Sequence, residues 1–249
     1  GSGVAGLTSA RELFRYGHKV DIFEKHKTPG GMLNQGIPIF RLPRKIIERE
    51  IKQILSLGIK LHLNKNISTF KQLNALASNY DAVVLAMGTL EANKINRQFS
   101  MCEQVEDGLD FLLRTNEYNS KTIGDNVVII GGGYTSMDCA RTALRLGAKS
   151  VRTFYRRTRG DLVILPGELE ELRKEHGVMK FNARPNKIIM KRGKLSGLQL
   201  IKTQITNKGR LEDIRGSEFN IKSDHIILAI GQSQQLDILS GIKHSRNEL

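Results

Sequence analysis

The chain has 249 residues, 39% hydrophobic and 26% charged, with a net charge of +14 and a pI near 9.9. That size suits one large or two medium domains of ordinary soluble composition, and no run reaches the roughly 18 apolar residues that a membrane span needs. The positive charge does not mark a nucleic-acid binder. Its lysines and arginines are spread along the chain, tryptophan is absent and aromatics make up 6%, poor material for stacking bases. The charge suits anionic cofactors or an acidic partner. Two cysteines, Cys102 and Cys139, give no disulfide framework and fit a reducing, cytoplasmic setting.

The chain opens on Gly1-Ser2-Gly3-Val4-Ala5-Gly6. Glycines at this spacing form the strand-to-helix turn that carries a dinucleotide pyrophosphate. Gly1 permits the tight turn, Gly3 lets the backbone approach the ligand, and Gly6 lets helix and strand pack closely. Such a turn needs a strand ahead of it, so the chain is expected to be a fragment cut at its N-terminus. Residues 4–16 read as an amphipathic helix stopped by Gly17, and 19–24 as a strand closed by Glu24. An acid about 20 residues after the glycines accepts hydrogen bonds from ribose hydroxyls.

Thr28-Pro29-Gly30-Gly31 is a turn by composition. With Gly36-Ile37-Pro38 and Leu42-Pro43 it makes residues 30–43 extended and non-helical. A helix over 44–57, a strand over 59–63 and a short helix over 69–77 follow. Residues 81–88 (DAVVLAMG) read as a buried parallel strand running into glycine. Residues 106–126 are a linker.

The second unit is more regular. A strand over 126–130 leads into Gly131-Gly132-Gly133-Tyr134-Thr135-Ser136, then a helix over 134–146 and a strand over 150–155. Ser136 stands where a third glycine is usual and is small enough for close packing. Arg156 and Arg157 occupy the place of the ribose-binding acid. A guanidinium pair there attracts a 2′-phosphate, which favours NADPH over NADH; Arg159 is a further candidate. Cys139 reads as packed core. Residues 167–176 are helical, and 178–222 alternate as an antiparallel flap with turns at Arg192-Gly193 and Lys208-Gly209. Residues 224–231 (DHIILAIG) form another buried strand. The six histidines make no metal pair, so no metal site is expected.

This succession predicts an α/β fold of two interleaved Rossmann-like three-layer dinucleotide-binding domains, like the pyridine nucleotide-disulfide reductases but without the dithiol. The FAD-binding domain would comprise 1–121 plus 224–249, with an NAD(P)H-binding domain, 122–223, inserted. The chain also resembles the NADPH-binding flavoprotein (small, or beta) subunit of glutamate synthase, and the matching parts of dihydropyrimidine dehydrogenase and NAD(P)H:ferredoxin-type oxidoreductases. The resemblance covers nearly the whole chain and is carried by 1–7 (GSGVAGL), 23–25 (FEK), 30–43 (GGMLNQGIPIFRLP), 86–89 (AMGT), 128–145 (VIIGGGYTSMDCARTALR), 155–157 (YRR), 216–219 (GSEF) and 229–231 (AIG).

The resemblance implies FAD and NADPH as cofactors. Gly1, Gly3 and Gly6 would hold the FAD pyrophosphate and Glu24 the adenosine ribose; Gly31, Leu33, Gly36 and Ile37 would line the flavin side. Gly132, Gly133, Thr135 and Ser136 would bind the nicotinamide dinucleotide, with Arg156 and Arg157 on its 2′-phosphate. Gly88 and Gly231 would mark the crossings between domains. The implied reaction is hydride transfer from NADPH to FAD, then electron transfer to a large catalytic subunit or iron–sulfur protein. Few catalytic side chains are needed for it, and none is assigned. Iron–sulfur clusters would belong to a missing segment or to that partner. A dithiol reductase, a flavin monooxygenase and a non-catalytic dinucleotide-binding scaffold are the alternatives.

Overall fold

The computed structural model describes residues 1–89, 91–117, 122–233 and 237–239. The chain divides into two compact units, Gly1–Glu91 with Gln232–Leu249, and Ala92–Gly231. In the first unit, helix α1 (Val4–Arg15) is followed by strand β1 (Asp21–Phe23), the four-residue helix α2 (Met32–Gln35), helix α3 (Arg44–Leu55), strand β2 (Lys60–His62) and helix α4 (Phe70–Ala77). β1 and β2 pair in parallel, Ile22 opposite Leu61. Leu7 and Ala10 of α1, Ile22 of β1 and Ile47 and Ile51 of α3 bury their side chains together, as helical spacing on one face requires. Helix α4 starts on a capping box between Thr69 and Gln72, which satisfies donors the helix itself cannot.

Two sequence expectations fail here. Residues 30–43 are not wholly extended, since α2 lies within them. Residues 81–88 form no strand, and Val83, Val84, Leu85 and Met87 are exposed. An apolar run makes a strand only when a neighbour supplies ladder hydrogen bonds, and among the described residues none does so.

Short strands β3 (Glu91–Ala92) and β13 (Gln232–Ser233) lie where the chain passes between the units. The second unit contains helix α5 (Arg97–Ser100), strand β4 (Val105–Asp107), helix α6 (Gly108–Asn116), strand β5 (Asn126–Ile130), helix α7 (Tyr134–Arg145), strand β6 (Ser150–Phe154), helix α8 (Pro166–Lys174) and strand β7 (Val178–Lys180). Strands β8 (Ala183–Lys191), β9 (Lys194–Ile205), β10 (Leu211–Asp213), β11 (Phe219–Lys222) and β12 (His225–Leu228) follow. A parallel sheet in the order β4-β12-β5-β6-β7 forms the middle layer. Alternate residues of β5 divide two cores: Val127 and Ile129 pack with Met137 and Ala140 of α7, while Val128 and Ile130 pack with Leu198 and Leu200 of β9. That two-faced burial is why the strand reads as an unbroken apolar run. The β8–β9 hairpin turns through Arg192 and Gly193, both at positive φ (53° and 76°), the geometry a two-residue hairpin needs.

The unit boundaries differ from those read from the sequence. β4 and α6 fall within the expected linker, yet β4 pairs with β12, and β12 pairs with β5. β4 and β12 therefore belong to the second unit's sheet, and the division falls at 91/92 and 231/232. The expected boundary at 121 and residues 240–249 lie outside the described residues. Among the described residues no helix is long and apolar enough to cross a membrane.

Candidate dinucleotide-binding sites

In the first unit the opening glycine turn is a close-packed backbone cradle. A Cβ on Gly6 would lie 1.9 Å from the Gly1 carbonyl oxygen, and one on Gly1 would lie 2.3 Å from the carbonyl oxygen of Ala86. Gly3 caps the N-terminus of α1. Gly31, at φ 52°, passes so near that a Cβ on it would lie 2.7 Å from the Gly3 Cα. Glu24 follows β1 and is 4% exposed. Its Oε2 accepts from the Ser2 amide and hydroxyl, and its Oε1 accepts from the His26 amide at 2.9 Å. Burial alone would raise its pKa; those three donors outweigh it and bring the carboxyl below the usual glutamate range.

Gly1, Gly3, Gly6, Glu24 and Gly31 are thus brought together. Leu33, Gly36 and Ile37 follow on α2 and the next turn. That loop is held by a residue the sequence did not single out: Arg44 donates to the carbonyls of Leu33 at 2.9 Å and Ile37 at 3.0 Å. Burial lowers the pKa of its guanidinium. A Cβ on Gly36 would meet the Met32 sulfur at 1.9 Å. The buried Asn34 Oδ1 lacks a hydrogen-bond partner, while its Nδ2 donates to the Pro29 carbonyl. Gly88, at φ 72°, follows Ala86 and Met87, which pass beside Gly1.

The second cradle joins β5 to α7. The Gly131 amide donates to the Phe154 carbonyl at 3.0 Å. Gly131 has φ 152°, and a Cβ there would lie 2.2 Å from the Ala229 carbonyl oxygen; one on Gly132 would lie 2.4 Å from the Tyr155 ring. Gly133 is open, with nothing within 4 Å of its Cβ position. It caps α7 with no side-chain hydrogen bond, and no acid occupies the first turn. The Ser136 amide donates to the Gly133 carbonyl at 3.1 Å, and the amides ahead of it lie at the helix N-terminus, where the dipole favours an anion. Thr135 and Ser136 lie in that turn, and the Ser136 hydroxyl donates to the Gly133 carbonyl at 2.6 Å.

Arg156 and Arg157 follow β6 and are exposed. Among the described residues the Arg156 guanidinium has no hydrogen-bond partner. Their backbone is fixed from the flap: the Thr203 hydroxyl donates to the Arg156 carbonyl at 2.6 Å, and the Asn182 amide donates to the Arg157 carbonyl at 3.1 Å. Thr158 and Asp161 close the loop reciprocally. Tyr155 donates its hydroxyl to the Asp161 carbonyl at 3.1 Å, and the Leu165 amide donates to the Tyr134 hydroxyl at 3.3 Å. Gly231, at φ 103°, is the last residue of this unit.

Both cysteines are buried and unpaired. The Cys139 thiol, its pKa pushed up by burial, lies 3.5 Å from the Gly108 carbonyl. Such thiols are inert, which does not favour dithiol chemistry. Among the described residues no cluster of His, Cys, Asp and Glu could hold a metal ion.

Two glycine cradles, one closed by a buried carboxylate and one flanked by paired guanidiniums, define a dinucleotide-dependent oxidoreductase. The chain belongs to the pyridine nucleotide-disulphide oxidoreductase family, whose profile matches residues 1–248 and whose members bind FAD and NADPH. It is 34% identical over 255 residues to the glutamate synthase [NADPH] small chain of Escherichia coli, spanning 93% of this chain and 52% of that one. It is 33% identical over 253 residues to the NADP(+)-dependent formate dehydrogenase subunit beta of Moorella thermoacetica, spanning 97% of this chain and 35% of that one. The chain thus spans about a third to a half of these relatives. Among solved structures, FprA of Mycobacterium tuberculosis in complex with NADPH superposes with a TM-score of 0.76 at 18% identity, over 93% of this chain and 69% of that one. Thioredoxin reductase of Lactococcus lactis does so at 0.66 and 16%, over 99% and 80%. These likenesses establish the fold.

Proposed function

We propose that this chain is an electron-input module: FAD is held in the first cradle and NADPH in the second, and reducing equivalents leave to a partner that holds iron–sulfur clusters or a further flavin. The observation that carries the reading is the contrast between the two cradles. Glu24 offers an acceptor to ribose hydroxyls, whereas Arg156 and Arg157 offer donors to a phosphate. Both turns suit such groups, since a Cβ at Gly1, Gly6, Gly131 or Gly132 would clash with the protein and break the tight turn, while Gly3 and Gly133 leave room beside the backbone.

Bound together, the two cofactors supply hydride transfer from nicotinamide to flavin. The chain's own residues do the holding. Gly1, Gly3 and Gly6 shape the turn that would hold one pyrophosphate, with Gly3 at the close approach, and Gly132, Gly133, Thr135 and Ser136 shape the turn that would hold the other. Gly31, Leu33, Gly36 and Ile37, fixed by Arg44, border the flavin. Gly88 and Gly231 let the chain turn where it nears and leaves the unit boundary.

The relatives' names point to different end reactions, on glutamate, formate and Fe(3+), yet share NADP(H). The stretch they share with this chain is therefore best read as the NADP(H)-facing step. A glutamate synthase-type large subunit is our first choice of partner, and a ferredoxin or dihydropyrimidine dehydrogenase-type acceptor the second. A cytoplasmic setting goes with this reading, supported by the two unpaired thiols. The test is anaerobic addition of NADPH to FAD-loaded protein. Bleaching of the flavin band, faster with NADPH than with NADH, is expected; stable binding of both cofactors without bleaching would leave a scaffold.

A further inference from the structure

A cavity of about 780 Å³ opens between the parallel sheet and the antiparallel flap of the second unit, within the range of small-molecule sites. It lies along β6 and the end of β7, beside the flap strands β9 and β11. Phe154, Phe181 and Phe219 wall it with apolar surface, and Arg152, Lys180 and Lys202 line it with positive charge. No carboxylate lines it among the described residues, and neither lysine ammonium has a partner among them. Arg152 spends one guanidinium nitrogen on the Lys222 carbonyl at 2.7 Å, but its Nε is buried with no partner. The proposed dinucleotide sites use none of these six side chains.

We infer that this cavity binds an amphipathic carboxylate, a medium-chain acyl or aryl acid whose apolar body lies among the three phenylalanines and whose head meets Arg152, Lys180 and Lys202. A neutral apolar ligand would leave three cations without a counter-charge. A small hydrophilic anion would leave the aromatic walls unfilled.

The test uses the full chain and anilinonaphthalene sulfonate as a fluorescent probe, displaced by decanoate or by its uncharged methyl ester. Decanoate is expected to displace the probe at one site per chain and the ester to do so more weakly. Lys180→Met with Lys202→Met, at exposed positions where the apolar stems are kept, should weaken decanoate about tenfold and leave the ester unchanged. Ile205→Trp, which fills the cavity from its wall, should abolish both, with melting curves of all variants compared to exclude unfolding. Equal affinity for acid and ester, a lysine double variant that still binds decanoate as the native protein does, or displacement of the probe by NADP(+) would each overturn the inference. The last would assign the cavity to the nucleotide site instead, and none of these results bears on flavin bleaching by NADPH.

Discussion

Ser2 gives Glu24 both of its donors: its backbone amide at 2.8 Å and its hydroxyl at 2.7 Å converge on one carboxylate oxygen, Oε2. Ser2 also lies inside the glycine turn, and its carbonyl accepts from the Gly30 amide at 3.0 Å. The residue expected to meet the adenosine ribose is therefore also a strut that joins the end of β1 to the turn. Oε1 keeps acceptor capacity beyond the His26 amide, so one carboxylate can serve both purposes.

Glu24→Gln tests that double role. An amide in place of the carboxylate sets an NH2 group against buried donors, at a cost on the order of 1–3 kcal/mol. Melting temperature and thermal stabilisation by FAD should both fall. The native carboxyl titrates below its unfolded value. Its contribution is thus fully present above about pH 4.3 and is lost as the pH falls through the folded value. Melting curves of native and variant protein should converge across that acid window. Parallel curves would show that Glu24 does not stabilise the fold.

Gly132 and Gly133 separate packing from binding. A methyl group on Gly132 would enter the Tyr155 ring, whereas one on Gly133 meets nothing within 4 Å. Gly132→Ala should therefore cost more than about 2 kcal/mol of stability, as overpacking does. Gly133→Ala should stay within about 1 kcal/mol of the native protein and yet lose NADPH affinity, because its methyl occupies the approach to the first amides of α7. Urea melts and an NADP(+) titration measure the two effects; unchanged NADPH binding by a folded Gly133→Ala protein would remove this turn from the site.

Much of this was legible because local signals and tertiary context agree. α1, α3 and α7 each combine a 3.6-residue apolar period with a nearby glycine stop, and β5 reads as buried on both faces because it is. DAVVLAMG and DHIILAIG show where the signal ends. The two runs have one pattern, but 225–228 gains ladders from β4 and β5 and 81–88 gains none among the described residues. Whether a strand forms depends on neighbours that a local run does not encode. β4 was illegible for the same reason, as three residues, VED, become a strand only beside β12. In the sites, glycines, Glu24 and the arginine pair were visible through motif spacing. Arg44, Asn182 and Thr203 were not, because each acts on a backbone carbonyl, which carries no sequence signature.

The thiols should be dispensable. Cys139 is fully buried and Cys102 nearly so, and each sulfur is engaged locally. A Cys102→Ala, Cys139→Ala protein should lose stability by the cavity it opens, roughly 1 kcal/mol, and keep its rate of flavin reduction by NADPH. A variant that binds both cofactors and fails to bleach the flavin would restore a thiol mechanism.

The sharpest test concerns the arginine loop, because its two parts can be removed separately. Arg156 and Arg157 are exposed, so their replacement by Glu and Ala should leave folding intact. Charge-assisted bonds to a phosphate contribute about 1–3 kcal/mol, and the preference for NADPH over NADH should fall by that amount, with NADH binding nearly unchanged. Thr203 is 2% exposed and touches neither guanidinium; it holds the Arg156 carbonyl. Thr203→Val leaves that carbonyl without its donor, at about 1–2 kcal/mol of stability, and frees the loop. NADPH affinity should then fall in the same direction as in the arginine variant but less far, with NADH again spared. Competitive titration of both nucleotides against both variants reads this directly. Native protein that prefers NADH would end the 2′-phosphate assignment, and equal losses for NADPH and NADH in Thr203→Val would show that the loop supports the whole nucleotide site and not its phosphate corner.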